Sequence, residues 1–548
     1  MLRLLALVFA LCTLSVSAQT RKQKREMARA DEALIARLQQ HIQILASDSL
    51  EGRRTGTAGE QKAMRYLIQQ YQEMGVAAAG DDGYVQSFSI FEGRHYTNST
   101  YLVIESDTLI LGNEYFPLSF SHAGAFKGDP SIALRESDQP WFRDIQPWLE
   151  EIQKNPHGTD LSTLIRNEAK KAFQKKATAL ILFNSKNGQE VITYNPADTT
   201  QAAPIPIIYM TNNGYNKHLK DETATIEVIA SIEMELKFRK GYNVLAQINN
   251  NATQTVVIGA HYDHLGYGED KNSLDGTNGI HNGADDNASG TAAVLELARL
   301  LQKGPTNQNY ILMHFSGEEL GLLGSKYWIQ NPTTQQPINY MINMDMIGRY
   351  DPVKKLTIGG YGTSPIWKEV LDKVAKRELA IQFDSTGSGP SDHASFYRNG
   401  TPVLFFFTGS HADYHKTTDD WEKIQYKAQK DIIRLIFDVI SETGTRGKLP
   451  FTATREPQMG RSARFTVSLG VIPDYSFSGS GMKIEGVSPG KLAEQIGLKA
   501  GDVLIKLGNQ SLVDVNSYMQ ALSQFKKGEQ TKLVVLRGKE ELVFDITF

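Results

Sequence analysis

Cysteine is almost missing: the chain has one, Cys12, in 548 residues. That excludes a disulfide framework and a thiolate metal cage, so any metal site must be built from His, Asp and Glu. Neither sign of charge dominates, because 58 basic residues face 61 acidic ones for a formal net charge of −3. A basic surface over the whole chain is excluded, and nucleic acid is not an expected partner. Beyond the first residues no run reaches ~18 uncharged apolar positions, so no membrane span is expected after removal of an N-terminal signal. What is present is the balance of a globular protein, 41% hydrophobic and 22% charged. At roughly 150 residues per domain, the length holds about three to four domains.

Met1-Leu2-Arg3, an apolar run from Leu4 to Val16, and Ser17-Ala18 form the three parts of a secretory signal peptide over residues 1–18. Cleavage after Ala18 would remove Cys12 and leave a secreted or periplasmic chain. From Asp31 to Gly75 the pattern is helical. Leu34, Ile35, Leu38, Ile42 and Leu45, then Ala63, Tyr66, Leu67 and Tyr71, recur at three- and four-residue steps around a polar, Gly-rich loop from Leu50 to Thr57. Near the other end, residues 446–463 contain Pro450 and Pro457 and no clear period, and read as a linker.

The middle of the chain carries the ionisable groups. Thr255 to Ala260 is an apolar run that ends at His261, and Tyr310 to Phe315 ends just before Glu318-Glu319. Tyr340 to Met344 ends at Asp345, and Pro402 to Phe407 precedes His411 and His415. Helical segments lie between them at Ala288–Gln302, Leu320–Gln330 and Ile366–Arg377. Strand–helix alternation with continuously apolar strands predicts an α/β fold, a mainly parallel sheet with helices on both faces. Ligands sit at the carboxyl ends of such strands. Singly, each polar residue has a plain explanation, such as a helix N-cap at Asp285-Asp286-Asn287 or a solvated helix start at Glu318-Glu319. Together they supply imidazole and carboxylate, the donors of a zinc-like cation, and seven of the twelve histidines lie between His261 and His415. In His261-Tyr262-Asp263, an extended chain would put Asp263 on the side of His261, where it could fix the metal-binding tautomer.

Gly259 to Asp263, Gly283 to Gly290, Ser316 to Gly321, Asn343 to Gly348 and Asp413 to His415 occur in that order. This set resembles the co-catalytic dizinc aminopeptidases, a family that includes glutamate carboxypeptidase II, glutaminyl cyclase and the transferrin receptor ectodomain. The resemblance implies a zinc exopeptidase fold over 19–111 and 239–445. It implies two zinc ions, with cobalt or manganese as alternatives. His261, Asp286 and Asp345 would hold one ion; Asp286, Glu319 and His415 would hold the other. Glu318 would be the general base, Asp263 would orient His261, and Tyr414 would stabilise the oxyanion. It also implies a cis peptide at Asp286-Asn287 and a supporting or substrate-pocket role for His393, with no ligand duty for His264, His281 or His411. The implied reaction is removal of the N-terminal residue from peptide substrates.

Between the two catalytic stretches, Lys175 to Phe183 and Pro204 to Met210 resemble parts of a protease-associated domain over 112–238. The last residues, 464–548, resemble a PDZ domain, a small β-rich module. Ser468, Leu469, Gly470 and Val471 match its carboxylate-binding loop, followed by Val487 to Gly490 and Gly497 to Asp502. The expected ligand is a protein C-terminus or extended peptide added to a sheet edge. Gly486 to Gly490 also fits G-x-S-x-G, but no strand–elbow–helix context follows. Three other readings share this sequence: glutaminyl cyclase chemistry, carboxypeptidase action, and a secreted peptide-binding protein with an inert core.

Overall fold

The four apolar runs become neighbouring strands, because each is buried on both faces and only sheet pairing satisfies its backbone. The computed structural model describes residues 2–154, 161–186, 190–196, 198, 200–219, 221, 223–270, 272–375, 379–454, 467–473, 481–487, 490–512, 515–522, 524–538 and 540–548. The chain divides into two units: Met1–Phe88 with Lys240–Ser523 and Gln530–Phe548, and Ser89–Arg239 with Gln524–Glu529.

The largest sheet among the described residues has nine strands: β1 (Ala77–Ala78), β2 (Val85–Tyr96), β3 (Met234–Ile248), β4 (Thr255–His261), β5 (Asn309–Phe315), β6 (Ile338–Met344), β7 (Leu356–Gly359), β8 (Ile381–Phe383) and β9 (Val403–Phe407). Their order is β1-β3-β5-β4-β6-β9-β7-β8, with β2 beside β3. Strands β5, β4, β6 and β9 run parallel. The register pairs His261 with Phe315, Gly259 with Asn343, and Asn343 with Phe405. The carboxyl ends of all four strands therefore open on one edge.

Helices α1 (Leu2–Leu45), α2 (Ala58–Met74), α3 (Gly290–Leu301), α4 (Leu323–Gln330), α5 (Ile366–Val374), α6 (His393–Arg398) and α7 (Tyr426–Thr443) cover the sheet. One core joins Leu34, Leu38, Ile42 and Leu45 of α1 and Leu67 and Tyr71 of α2 to α3, α5, α7 and the sheet residues Val256, Ile258, Leu312, Ile342 and Leu404. On the opposite face, Trp328 of α4 and Phe396 of α6 pack on Val257, Ile311, Met313 and Met341. The alternating inward positions of α1 thus have a sheet to bury against. Each such side chain contributes roughly 1.5–3 kcal/mol. Arg37 of α1 grips buried Glu296 of α3 through Nε and Nη2 at 2.8 and 2.7 Å.

Expected and observed boundaries differ where the backbone turns left-handed. The helix expected from Leu320 starts at Leu323, because Gly321 and Leu322 have φ of 99° and 63°. The helix expected to reach Arg377 ends at Val374, and residues 376–378 lie outside the described residues. The reading of 446–463 as a free linker is corrected in its first part. Leu449 is buried, its N–H donates to Asn339 Oδ1 at 2.8 Å, and Thr452 N–H donates to Thr363 O. Residues 455–466, the rest of that segment, lie outside the described residues.

In the second unit, which begins at Ser89, Tyr101–Ile104 pairs antiparallel with Val228–Ile232. It holds two four-stranded sheets. The two runs singled out in the sequence become Leu180–Phe183 and Ile207–Met210, adjacent and parallel. Ile181 and Ile208 share a core with Leu102, Val228 and Ala230.

The C-terminal β-rich segment pairs Val471–Pro473, Met482–Val487, Val503–Leu507, Gln530–Arg537 and Glu540–Thr547 antiparallel over buried Leu469, Ile484, Leu504, Leu533 and Val535. Ser468 Oγ accepts from Gly470 N–H at 3.0 Å, and Gly470 turns left-handed ahead of the first strand. Val515–Leu522 is helical; residues 513–514, and Ser488 and Pro489 of the expected Val487–Gly490 motif, lie outside the described residues. Among the described residues no helix is long and apolar enough to cross a membrane.

Leu38→Ala should cost about 2–5 kcal/mol, because the residue is fully buried; urea unfolding checks this. Glu296→Gln should flatten the acid limb of stability. Burial pushes the Glu296 carboxyl up, but His41 and Arg37 hold it below its usual range. Its contribution is therefore present above the unfolded value of ~4.3 and is lost as pH falls through the lowered folded value. Unfolding curves between pH 3 and 7 measure the difference.

Candidate metal centre

Every expected ligand sits at the open edge of the sheet. His261 is the last residue of β4, Asp286 lies in the turn before α3, Glu319 follows β5, Asp345 follows β6, and His415 lies in the loop after β9. His261 Nε2 is 3.2 Å from Asp345 Oδ1 and 3.3 Å from Asp286 Oδ1. His415 Nε2 is 3.2 Å from Asp286 Oδ2 and 3.2 Å from Glu319 Oε2. Asp286 thus offers one oxygen to each imidazole. Gly283 makes the turn that aims it, with φ of 55°; a Cβ there would lie 2.1 Å from Asp286 O. The Asp286-Asn287 peptide is cis, as the resemblance implied.

His261 Nδ1–H donates to Asp263 O at 3.1 Å, and His415 Nδ1–H donates to Asn272 O at 2.9 Å. Both rings are thereby held as the tautomer whose Nε2 carries a lone pair. Each Nε2 faces carboxylate oxygens, an arrangement that is favourable only with a cation between them or with a proton on the ring. Imidazole and carboxylate without sulfur suit zinc. The residues present therefore fit a pair of zinc-like ions. His261, Glu318 and Asp345 form one compact donor group, and His264, Asp286 and Glu319 another.

The two adjacent glutamates differ. Burial raises Glu318 well above the usual carboxylate range, helped by Asp345, Glu319 and Asp392 and opposed by His261. Burial also acts on Glu319, but His415 and His264 hold it down at about 2. Environments that push two carboxyls apart assign one as a proton carrier and one as a fixed anion.

The expected role of Asp263 is corrected in its detail. Its carboxylate Oδ1 is 3.7 Å from His261 Nδ1, and its backbone carbonyl makes the bond instead. The chain has left the strand at His261, so the same-side rule of extended backbone no longer applies. The carboxylate accepts from Thr55 Oγ1 at 2.9 Å and Glu318 N–H at 3.2 Å, so it fixes the loop of the glutamates. Tyr414 stacks its ring on His415 with centroids 3.9 Å apart. It packs on a small apolar cluster of Met346, Phe405 and Phe407, against which His393 also stacks at 4.3 Å.

Sequence reasoning left His264 without a role. Its Nδ1 is 2.8 Å from Glu319 Oε1, and the spacing His261-x-x-His264 was the available signal. Asp275 was missed too. Its oxygens accept from Thr277 and from the N–H and Oγ1 of Thr417, tying a distant loop to the residues after His415. Asp419 accepts the N–H groups of Asp285 and Asp286. His281 bonds Ser273 Oγ, and His411 lies 3.2 Å from Asp285 Oδ2. Neither faces the ligand carboxylates.

Residues 243–440 match the model of peptidase family M28, and residues 458–536 match that of the PDZ domain. The chain is 25% identical over 306 residues to Aminopeptidase YwaD of Bacillus subtilis, covering 53% of this chain and 62% of that protein. It is 29% identical over 260 residues to a probable leucine aminopeptidase of Arthroderma otae, covering 45% and 64%. The chain thus spans less than two thirds of these curated relatives. The solved structure of BSAP, a zinc aminopeptidase from Bacillus subtilis, is 18% identical with a TM-score of 0.41, covering 77% of this chain and 96% of that one. Both the segment that holds the five clustered ligands and the C-terminal β-rich segment therefore resemble families of known kind.

Proposed function

We propose that this chain is a zinc-dependent metallo-aminopeptidase that removes N-terminal residues from peptides, with a C-terminal peptide-binding PDZ domain and a protease-associated-like insert. The observation that carries the reading is Asp286 standing between two inward-facing imidazoles, with Glu319 and Asp345 completing two half-sites. Two bound zinc ions would supply Lewis acidity toward a carbonyl and lower the pKa of water. The chain's own residues do the rest. Glu318, raised by its buried surroundings, takes a proton from the attacking water and returns it to the leaving amine. Met346, Phe405, Phe407 and Tyr414 form an apolar wall beside Asp345 and His415, suited to an apolar N-terminal side chain. The names of the matched relatives support peptide-bond hydrolysis at an N-terminus. The signal over 1–18 would deliver the enzyme to a secreted or periplasmic location, where its peptide substrates would be met.

Purified protein should contain two zinc ions per chain and hydrolyse unblocked peptides but not amino-blocked ones. Cleavage of blocked peptides from the other end would favour carboxypeptidase action, and one zinc with cyclisation of N-terminal Gln would favour a cyclase. Glu318→Gln should keep both metals and KM while kcat falls by about 10²–10⁴-fold. Steady-state kinetics and metal analysis of the same sample check both halves of that expectation.

A further inference from the structure

The loop before α2 holds a cation that the reaction does not use. Glu51, Gly52 and Arg53 are left-handed in succession, with φ of 51°, 66° and 50°. That turn drives Arg53 into the protein, where it is 1% exposed. Its Nε donates to Tyr262 O at 2.8 Å, Nη1 donates to Asn282 O at 2.7 Å and to Leu45 O, and Nη2 donates to Gly283 O at 3.0 Å. Tyr262 follows His261, and Gly283 opens the turn that aims Asp286. The loop backbone adds to this, since His264 N–H donates to Arg53 O at 3.3 Å and Gly266 N–H to Gly52 O at 3.1 Å. Gly52 is needed there, because a Cβ would lie 2.6 Å from His281 O and 2.7 Å from Gly266 O.

We propose that Arg53 is a positioning residue for the metal centre: its guanidinium locks the His261 segment to the Asp286 turn, and so sets the spacing of the two half-sites. The inference rests on the dizinc reading above. Only arginine offers a rigid fork of five donors able to serve four carbonyls from three separate segments. A lysine at this depth brings charge but one point of donation. Arg53 also places a fixed positive charge near Asp286, Asp263, Asp419 and Glu319. Burial lowers it to about 10, aided by none of these acids, which all pull it back up. It stays protonated at neutral pH, so it offsets repulsion among the carboxylates without occupying a ligand position.

The test compares wild type, Arg53→Lys and Arg53→Met by chelator-competition titration with Zn²⁺, by Co²⁺ d–d absorption, and by kinetics on an unblocked peptide. Circular dichroism and thermal melting check the fold. The expected result is a 10–100-fold loss of Zn²⁺ affinity in both variants, an altered Co²⁺ spectrum, and lower kcat at unchanged KM. If Arg53→Met does not fold, Arg53→Lys carries the same expectation alone. Folded variants with wild-type zinc affinity and an unchanged cobalt spectrum would overturn the role of Arg53. A wild-type protein that binds no zinc in the same titration would instead overturn the functional reading, and this inference with it.

Discussion

Negative charge crowded at one end of a dry sheet is the constraint on which this structure turns. Asp263, Asp285, Asp286, Asp392 and Asp419 are all buried, and Glu318 and Glu319 follow the end of β5. Charges taken out of water are costly unless paired or given to a metal. The chain answers with inward imidazoles, backbone N–H groups and one guanidinium. Burial alone would leave the carboxyls uncharged. His261 and His415 instead hold Asp286 well below its usual range. Asp392, whose oxygens have no hydrogen-bond partner among the described residues, is raised to about 7. The electrostatics therefore divide the acids into those that stay anionic and those able to carry a proton.

The sheet makes this crowding affordable through rigidity. Strands β5, β4, β6 and β9 are buried along their length and in parallel register, so their ends are fixed relative to one another. Helix α3 lies in the same core and carries the Asp286 turn at its start. Ligand positions set by strand ends and a helix start are more exact than positions set by free loops. His415 is the exception, being on a loop. It is held by its bond to Asn272 O, by Leu274 N–H to its own carbonyl, and by the anchor at Asp275.

Much of this was readable from residue order. The four apolar runs are long, uninterrupted and followed by ionisable residues, which is why the parallel sheet and a cluster of His, Asp and Glu at its strand ends are legible before any coordinates. The matching loop at Leu50–Thr57 was noticed, yet its purpose was hidden. Arg53 acts on backbone carbonyls roughly two hundred residues away, and carbonyls have no sequence signature. The same reason hid Asp419 and Asp275, whose partners are N–H and hydroxyl groups of other segments. The backbone contact of Asp263 with His261 was not legible, because periodicity rules lapse where a strand ends. The pairing of strand Tyr101–Ile104 with Val228–Ile232 was not legible, because the strand is four residues long and its partner lies more than a hundred residues away.

The grip of Arg53 on Tyr262 and Gly283 also bears on the order in which the site is assembled. The clamp lies upstream of the insert, and the last imidazole, His415, lies far downstream. A nascent chain that has emerged only as far as the insert holds none of the ligands, and one that stops short of His415 holds an incomplete set. Contacts of such sequence separation form late in folding. A site distributed this way is complete only once every segment from Arg53 to His415 has been made and brought together.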